Sequence, residues 1–282
     1  MWKNFLKFIN GNKRLCLLVI PVTHALSSLS QITYYTLEAI DSIPVVAENI
    51  TTDPLGNLYI IHGGEIKKYS HEGKWLAQYR NPHYGNIAYA DASDPLRVLV
   101  YYRDFNTVVF LDKFLAELRS PFSLDDLGMP QAHLVCTSSL GGFWIFHAFE
   151  RKLYLFNQQI DRMAESFVIP LPPGNEALPY FMTEKNREVF LVSREAGILR
   201  FNQYGSYITS YPIIPVNGCQ IIMNNIVFFQ TPYLYEYHMA TGTIVKISPP
   251  FPVDIQQVQK EGNTCYAMKP GKIVIYTLQN IP

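Results

Sequence analysis

Six times along the chain, a run of aromatic and β-branched residues is followed by a short polar turn and a second such run. Asn57-Leu-Tyr-Ile-Ile61 is answered by Ile66-Lys-Lys-Tyr69, and Val98-Leu-Val-Tyr-Tyr102 by Val108-Val-Phe-Leu111. Phe143-Trp-Ile-Phe146 precedes Lys152-Leu-Tyr-Leu-Phe156, and Val189-Phe-Leu-Val192 precedes Gly197-Ile-Leu-Arg-Phe201. The last copies are Ile226-Val-Phe-Phe229 with Tyr233-Leu-Tyr-Glu-Tyr237, and Cys265-Tyr-Ala-Met268 with Lys272-Ile-Val-Ile-Tyr276. Their closing residues stand at 69, 111, 156, 201, 237 and 276, in steps of 42, 45, 45, 36 and 39. A repeat of roughly 40–50 residues built from strands predicts an all-β fold, a β-propeller with one four-stranded antiparallel sheet per period. Architecture of this kind hosts catalysis, ligand binding and scaffolding alike, so it does not name a function.

The first period shows how a blade is written. Ile50 to Thr52 reads as an inner strand, and Asp53-Pro54-Leu55-Gly56-Asn57 as a turn, because Pro fixes φ and Gly or Asn accepts a positive one. Leu58–Ile61 and Ile66–Tyr69 flank the His62-Gly63-Gly64-Glu65 hairpin, and Lys74–Tyr79 follows Ser70-His71-Glu72-Gly73 as the outer strand. The aromatic-x-x-x-Gly turn returns at Phe201–Gly205 and, one residue longer, at Tyr237–Gly242. Prolines 82, 121, 130, 172, 173, 179, 212, 215, 249, 250 and 252 are read as crossings between blades, since proline cannot donate to a sheet ladder. The sixth copy ends at Leu278 without an outer strand of its own. Thr33–Leu37 supplies one, so six blades are expected, the last closed by the N-terminal strand.

Asp53-x-x-Gly56-Asn57-Leu58-Tyr59-Ile60 followed by Ile66-x-x-Tyr69 resembles the repeat of NHL-type and gluconolactonase-like six-bladed propellers. The chain as a whole, aromatic-rich with degenerate repeats, is similar to exported propellers of Bacteroidota-type bacteria. The resemblance is strong in the first blade and architectural in the rest, and it carries over no functional motif.

Residues 1–30 are of another kind. Lys3, Lys7, Lys13 and Arg14 form a basic region without acids, Leu15–Val22 is a short apolar run, and Ala25, Ser27, Ser28 and Ser30 are small. That order predicts a secretory signal peptide cleaved after Ser27 or Ser30, leaving residues 31–282 as a single propeller domain. The apolar run is far shorter than the roughly 20 residues a membrane helix needs, so no transmembrane segment is expected in the mature chain. Periplasm, outer-membrane surface or medium is the expected location. Removing those residues leaves 19 basic against 23 acidic side chains, a balance unsuited to nucleic acid. Cys136, Cys219 and Cys265 remain, an odd number in apolar surroundings. They read as buried thiols, with a Cys219–Cys265 disulfide as the alternative.

A propeller gathers function on the face built by the loops between second and third strands and between blades. The positions after each second strand are His62, Arg103, His147, Ser193, Gln230 and Lys269, with Arg194 and Tyr233 close behind. His62, Arg103, His147, Arg194, Gln230, Tyr233 and Lys269 are therefore the candidate binding set, suited to a carboxylate or an acidic peptide. A lactonase-type metal site would instead draw oxygen ligands from Glu48, Asn49, Asn86, Asp91, Asn217 and Asp254, which are few and irregularly spaced. No Gly-x-Ser-x-Gly, His-Glu-x-x-His, Cys-x-x-Cys or glycine-rich phosphate loop occurs, and no cofactor is expected. The leading expectation is a non-enzymatic platform for another protein, within a cell-envelope assembly. A metal-dependent hydrolase and a glycan or small-ligand sensor are the alternatives.

Overall fold

The computed structural model describes residues 34–174 and 178–281; the expected signal peptide and Thr33 lie outside them. Strand β1 (Tyr34–Ile43) comes first. Blade 1 follows as β2 (Asn49–Thr52), β3 (Leu58–His62), β4 (Glu65–Tyr69) and β5 (Trp75–Arg80). Blade 2 is β6 (Tyr89–Asp91), β7 (Val98–Tyr102), β8 (Thr107–Leu111) and β9 (Phe122–Ser123). Blade 3 is β10 (Ala132–Thr137), β11 (Phe143–His147), β12 (Lys152–Phe156) and β13 (Arg162–Glu165). Blade 4 is β14 (Phe181–Lys185), β15 (Glu188–Ser193), β16 (Gly197–Phe201) and β17 (Tyr207–Tyr211). Blade 5 is β18 (Gln220–Ile222), β19 (Asn225–Gln230), β20 (Tyr233–His238) and β21 (Thr243–Lys246). Blade 6 is β22 (Gln257–Glu261), β23 (Thr264–Lys269) and β24 (Lys272–Ile281), completed by β1. All six sheets are four-stranded and antiparallel, a six-bladed β-propeller.

Most middle strands, β7, β8 and β11 above all, read as apolar runs because they are buried on both faces, whereas β4 and β20 keep polar, half-buried positions. Along β7, Val98, Val100 and Tyr102 pack against Tyr59, Ile61 and Ile66 of blade 1. The alternate residues Leu99 and Tyr101 pack against Ile145 and Tyr154 of blade 3. The same division of labour makes the core a set of blade-to-blade interfaces, each buried aliphatic or Phe side chain contributing about 1.5–3 kcal/mol. The last interface joins the ends: Tyr266, Ile273 and Ile275 of blade 6 meet Ile50, Leu58 and Ile60 of blade 1.

Closure is longer than the sequence suggested. β1 runs to Ile43, pairing Leu37 with Leu278 and Ile43 with Ile273 across a bulge between Ala39 and Asp41. The extension follows from Ile43, which is buried in the interface between blades 6 and 1. The Gln257 side chain adds a second seam, accepting from Ile50 N and donating to Ile50 O at 3.1 Å each. A primary amide can do both at once, so it acts as a strand residue from the neighbouring blade.

The Asp53 turn is a structural device. Its buried carboxylate accepts from Leu55 N, Asn57 N, Asn57 Nδ2 and Tyr59 OH at 2.8–3.0 Å, and Lys68 Nζ stands 3.9 Å away. Another turn recurs between third and fourth strands. Ser70, Asp112, Asn157 and Asn202 each accept, through the side chain, from the amide four residues on. The residue between has positive φ: Gly73, Leu115, Ile160 and Gly205. Left-handed backbone costs a non-glycine residue about 1–2 kcal/mol. Leu115 is buried in the interface between blades 1 and 2, and Ile160 packs on the next one, so burial offsets the strain. Blade 2 departs from its siblings because Pro121, expected in a crossing, interrupts its outer strand. Leu118 N still donates to Phe110 O, pairing lapses, and it resumes at β9.

Asp53→Ala strands several buried donors and is expected to cost about 3 kcal/mol, or roughly 6–12 °C in Tm. Asn202→Ala, in an exposed turn, should cost about 1 kcal/mol. Parallel thermal melts of the two variants check both values.

Candidate functional site

The inner strands surround a cavity of about 570 Å³ along the axis of the ring. They are short and polar because only alternate residues pack between blades, while the others face this space. Asn49 and Thr51 look in from β2, Phe181, Thr183 and Lys185 from β14, and Gln257, Gln259 and Glu261 from β22. Blade 3 contributes no lining residue. Tyr89 of blade 2 reaches blade 4 instead, donating to Met182 O at 3.1 Å with its ring edge-on to Phe181 at 5.9 Å.

Most acids of the cavity are already bonded to uncharged donors. Asp91 accepts from Ser93 N, Thr137 N and Thr137 Oγ1, which ties blade 2 to blade 3. Glu184 accepts from Ser139 N and Oγ and from Trp144 Nε1 at 2.6 Å, which ties blade 3 to blade 4. Glu261 accepts from Thr52 Oγ1 at 2.8 Å, and burial raises its pKa above the ordinary carboxylate value. Of the lactonase-type ligands considered, Glu48, Asn49, Asp91 and Asn217 line the cavity, whereas Asp254 is engaged with Lys269 at 2.9 Å outside it. Asn86 lies beside the Gly63 turn instead. Among the described residues, no three His, Cys, Asp or Glu side chains gather at one point.

The candidate loop set divides in three. His62 and Arg194 each stand against a lining residue, Glu48 and Tyr180, while Arg103 lies on the loop face outside the lining. His62 Nδ1 lies 3.4 Å from the Glu48 carboxylate, and Glu48 also accepts from Gly63 N. Arg194 stacks over the lining ring of Tyr180 at 4.8 Å, and Arg103 donates to His133 O at 3.3 Å. His147 does not present its side chain to this face. It is buried, with Nδ1 accepting from Glu150 N and its ring edge-on to Tyr154. The reason is its place in β11, whose residues are buried from end to end. Gln230, Tyr233 and Lys269 stand away from the lining; Tyr233 carries Lys246 Nζ over its ring at 4.1 Å, and Lys269 pairs with Asp254. Ser193 is buried and accepts from Glu195 N and Ala196 N.

Sequence reasoning missed an exposed apolar feature of the loop face. Phe149 is 79% exposed, Phe167 90% and Val168 60%. Ser166 N donates to Leu153 O and Ile169 N to Arg151 O, so the Phe167–Val168 segment runs beside the turn that carries Phe149. The signal available was weak: Phe167-Val168 after Glu165 looks like a continuing strand.

Cys136, Cys219 and Cys265 are free and buried, so the alternative Cys219–Cys265 disulfide is not formed. Burial pushes the thiols of Cys219 and Cys265 up to about 12, and that of Cys136 well above the ordinary value, with Asp91 and Glu184 adding to it.

No protein-family model matches the chain, and no curated protein matches it significantly. Solved structures do. A streptogramin B lyase superposes with a TM-score of 0.57 at 12% identity, covering 88% of this chain and 98% of the other. A protein of unknown function from Bacteroides thetaiotaomicron gives 0.61 at 8% identity, covering 88% and 76%. The WD40 domain of Neurospora crassa Pan2 gives 0.52 at 12% identity, covering 83% and 79%. At such identities the likeness is one of fold alone.

Two outcomes are expected. Iodoacetamide at pH 8 should leave Cys136, Cys219 and Cys265 unmodified until denaturant is added, since the thiolate is the nucleophile; residue-resolved mass spectrometry reads the adducts. The folded state holds the Glu261 proton more tightly than the unfolded chain does. Its contribution is therefore present at acid pH and lost as pH rises through the elevated value. Glu261→Gln should raise Tm at neutral pH, with the gain vanishing as pH falls into the ordinary carboxylate range.

Proposed function

We propose that this protein is an exported, non-enzymatic propeller that serves as a docking platform for another protein, within a cell-envelope assembly. The observation that carries the reading is the apolar corner of the loop face. Phe149, Phe167 and Val168 stand in solvent on a scaffold whose strands are locked between neighbours. Large exposed aromatics of this kind are the side chains that anchor protein interfaces once a partner dries them. Arg103 and Arg194, on the same face, have no carboxylate partner among the described residues, and they suit a partner with acidic groups beside its apolar anchor. Export is supported by the order of basic, apolar and small residues in positions 1–30. The non-enzymatic reading is supported by acids that are spent on joining blades.

Phe149→Glu/Phe167→Glu should leave Tm within about 2 °C, because both side chains are already in water. A tagged wild-type chain crosslinked in cells should retain a stoichiometric envelope protein that the double variant loses. A wild type recovered alone, or a partner held equally by the variant, would refute the platform reading.

A further inference from the structure

The central cavity has a chemistry of its own, separate from the apolar corner. Its acids are already engaged: Glu48 by Gly63 N, Asp91 and Glu184 by neutral donors, and Glu261 by Thr52. Lys185 is the single Lys or Arg among the lining residues and stands against those four carboxylates, so an anion meets a net negative wall, while the carboxylates a cation would need already accept hydrogen bonds. What it does offer is uncharged. Asn49, Thr51, Thr183 and Gln259 line it from three strands, and none of their side chains has a hydrogen-bond partner among the described residues. Together they present amide donors, amide acceptors and hydroxyls that can do either. The same wall carries the rings of Tyr89 and Phe181, the latter two residues from Thr183 on β14, fixed by their edge-on contact and by the Tyr89–Met182 bond.

A ligand matching this surface needs many hydroxyls on its edges and an apolar C–H face. The volume of about 570 Å³ lies within the range of small-molecule sites, roughly 300–1,000 Å³. We infer that the cavity is a binding site for a neutral saccharide, with Asn49, Thr51, Thr183 and Gln259 bonding its hydroxyls and one of the two mutually perpendicular rings, Tyr89 or Phe181, stacking on its C–H face. The inference stands independently of the docking platform, which uses the loops.

Saturation-transfer NMR and calorimetry on the full chain test it. The panel holds glucose, galactose, mannose, N-acetylglucosamine, lactose and cellobiose, with glucuronate as the anionic control and cyclohexanol as the apolar one. At least one neutral sugar is expected to bind saturably at one site per chain, more tightly than either control. Thr183→Val and Gln259→Leu should each weaken it about tenfold without lowering Tm, since neither side chain bonds within the protein. Phe149→Glu/Phe167→Glu should leave sugar affinity unchanged, which separates this site from the docking corner. No binding by any neutral sugar, preference for glucuronate or cyclohexanol, or an affinity indifferent to both cavity variants would overturn the inference.

Discussion

In this protein the blade-to-blade contact is the interaction from which everything else follows. The middle strands of blade 2 have no solvent face, so Val98 and Leu99, adjacent in sequence, stabilise opposite neighbours. A row of such sheets would leave a large apolar face at each end. The ring solves that problem by bringing Tyr266 and Ile275 against Leu58 and Ile60. The β1–β24 ladder and the Gln257 amide then hold the seam.

Closure also decides where chemistry is possible. Strands that converge on an axis have one set of side chains with nothing to pack against, and these become the polar wall of the cavity. Several of them are spent on tying blades together, as with Asp91 on Thr137 and Glu184 on Trp144. The outer strands have the reverse problem, and Trp75, Met163 and Tyr207 lie exposed at the perimeter. Loops are released from both duties. The loop face is thus free to vary while the ring beneath it stays fixed.

Much of the ring could be read directly from the chain, because burial on both faces writes strands as continuous apolar runs such as Val98–Tyr102 and Phe143–Phe146. The N-terminal closing strand was legible for a different reason: a sixth repeat without its fourth strand demands one. The inner strands were harder. β6 and β18 have three residues each, with a single polar side chain, Asp91 or Gln220, which gives too short a pattern to register. Leu115 and Ile160 hid two copies of a turn, since tertiary burial lets them occupy positions where glycine is the expected signal. His147 was misjudged because strand ends and loop starts look alike in sequence. The solvent exposure of Phe149 and Phe167 is a property of neighbouring loops, and local sequence does not carry it.

The ladder between Tyr34 and Ile281 has a further consequence, for biosynthesis. A ribosome releases this chain from its N-terminus, so the first strand of the ring must wait for the last to emerge before it has a partner. Solenoid repeats can settle one by one as they appear, each stabilised by the unit before it. Here blade 1 keeps one flank bare until β24 has emerged, and loop closure spans nearly the whole described chain. A chain truncated before β24 therefore loses more than that strand: the first and last blades are left with apolar faces that nothing else among the described residues covers.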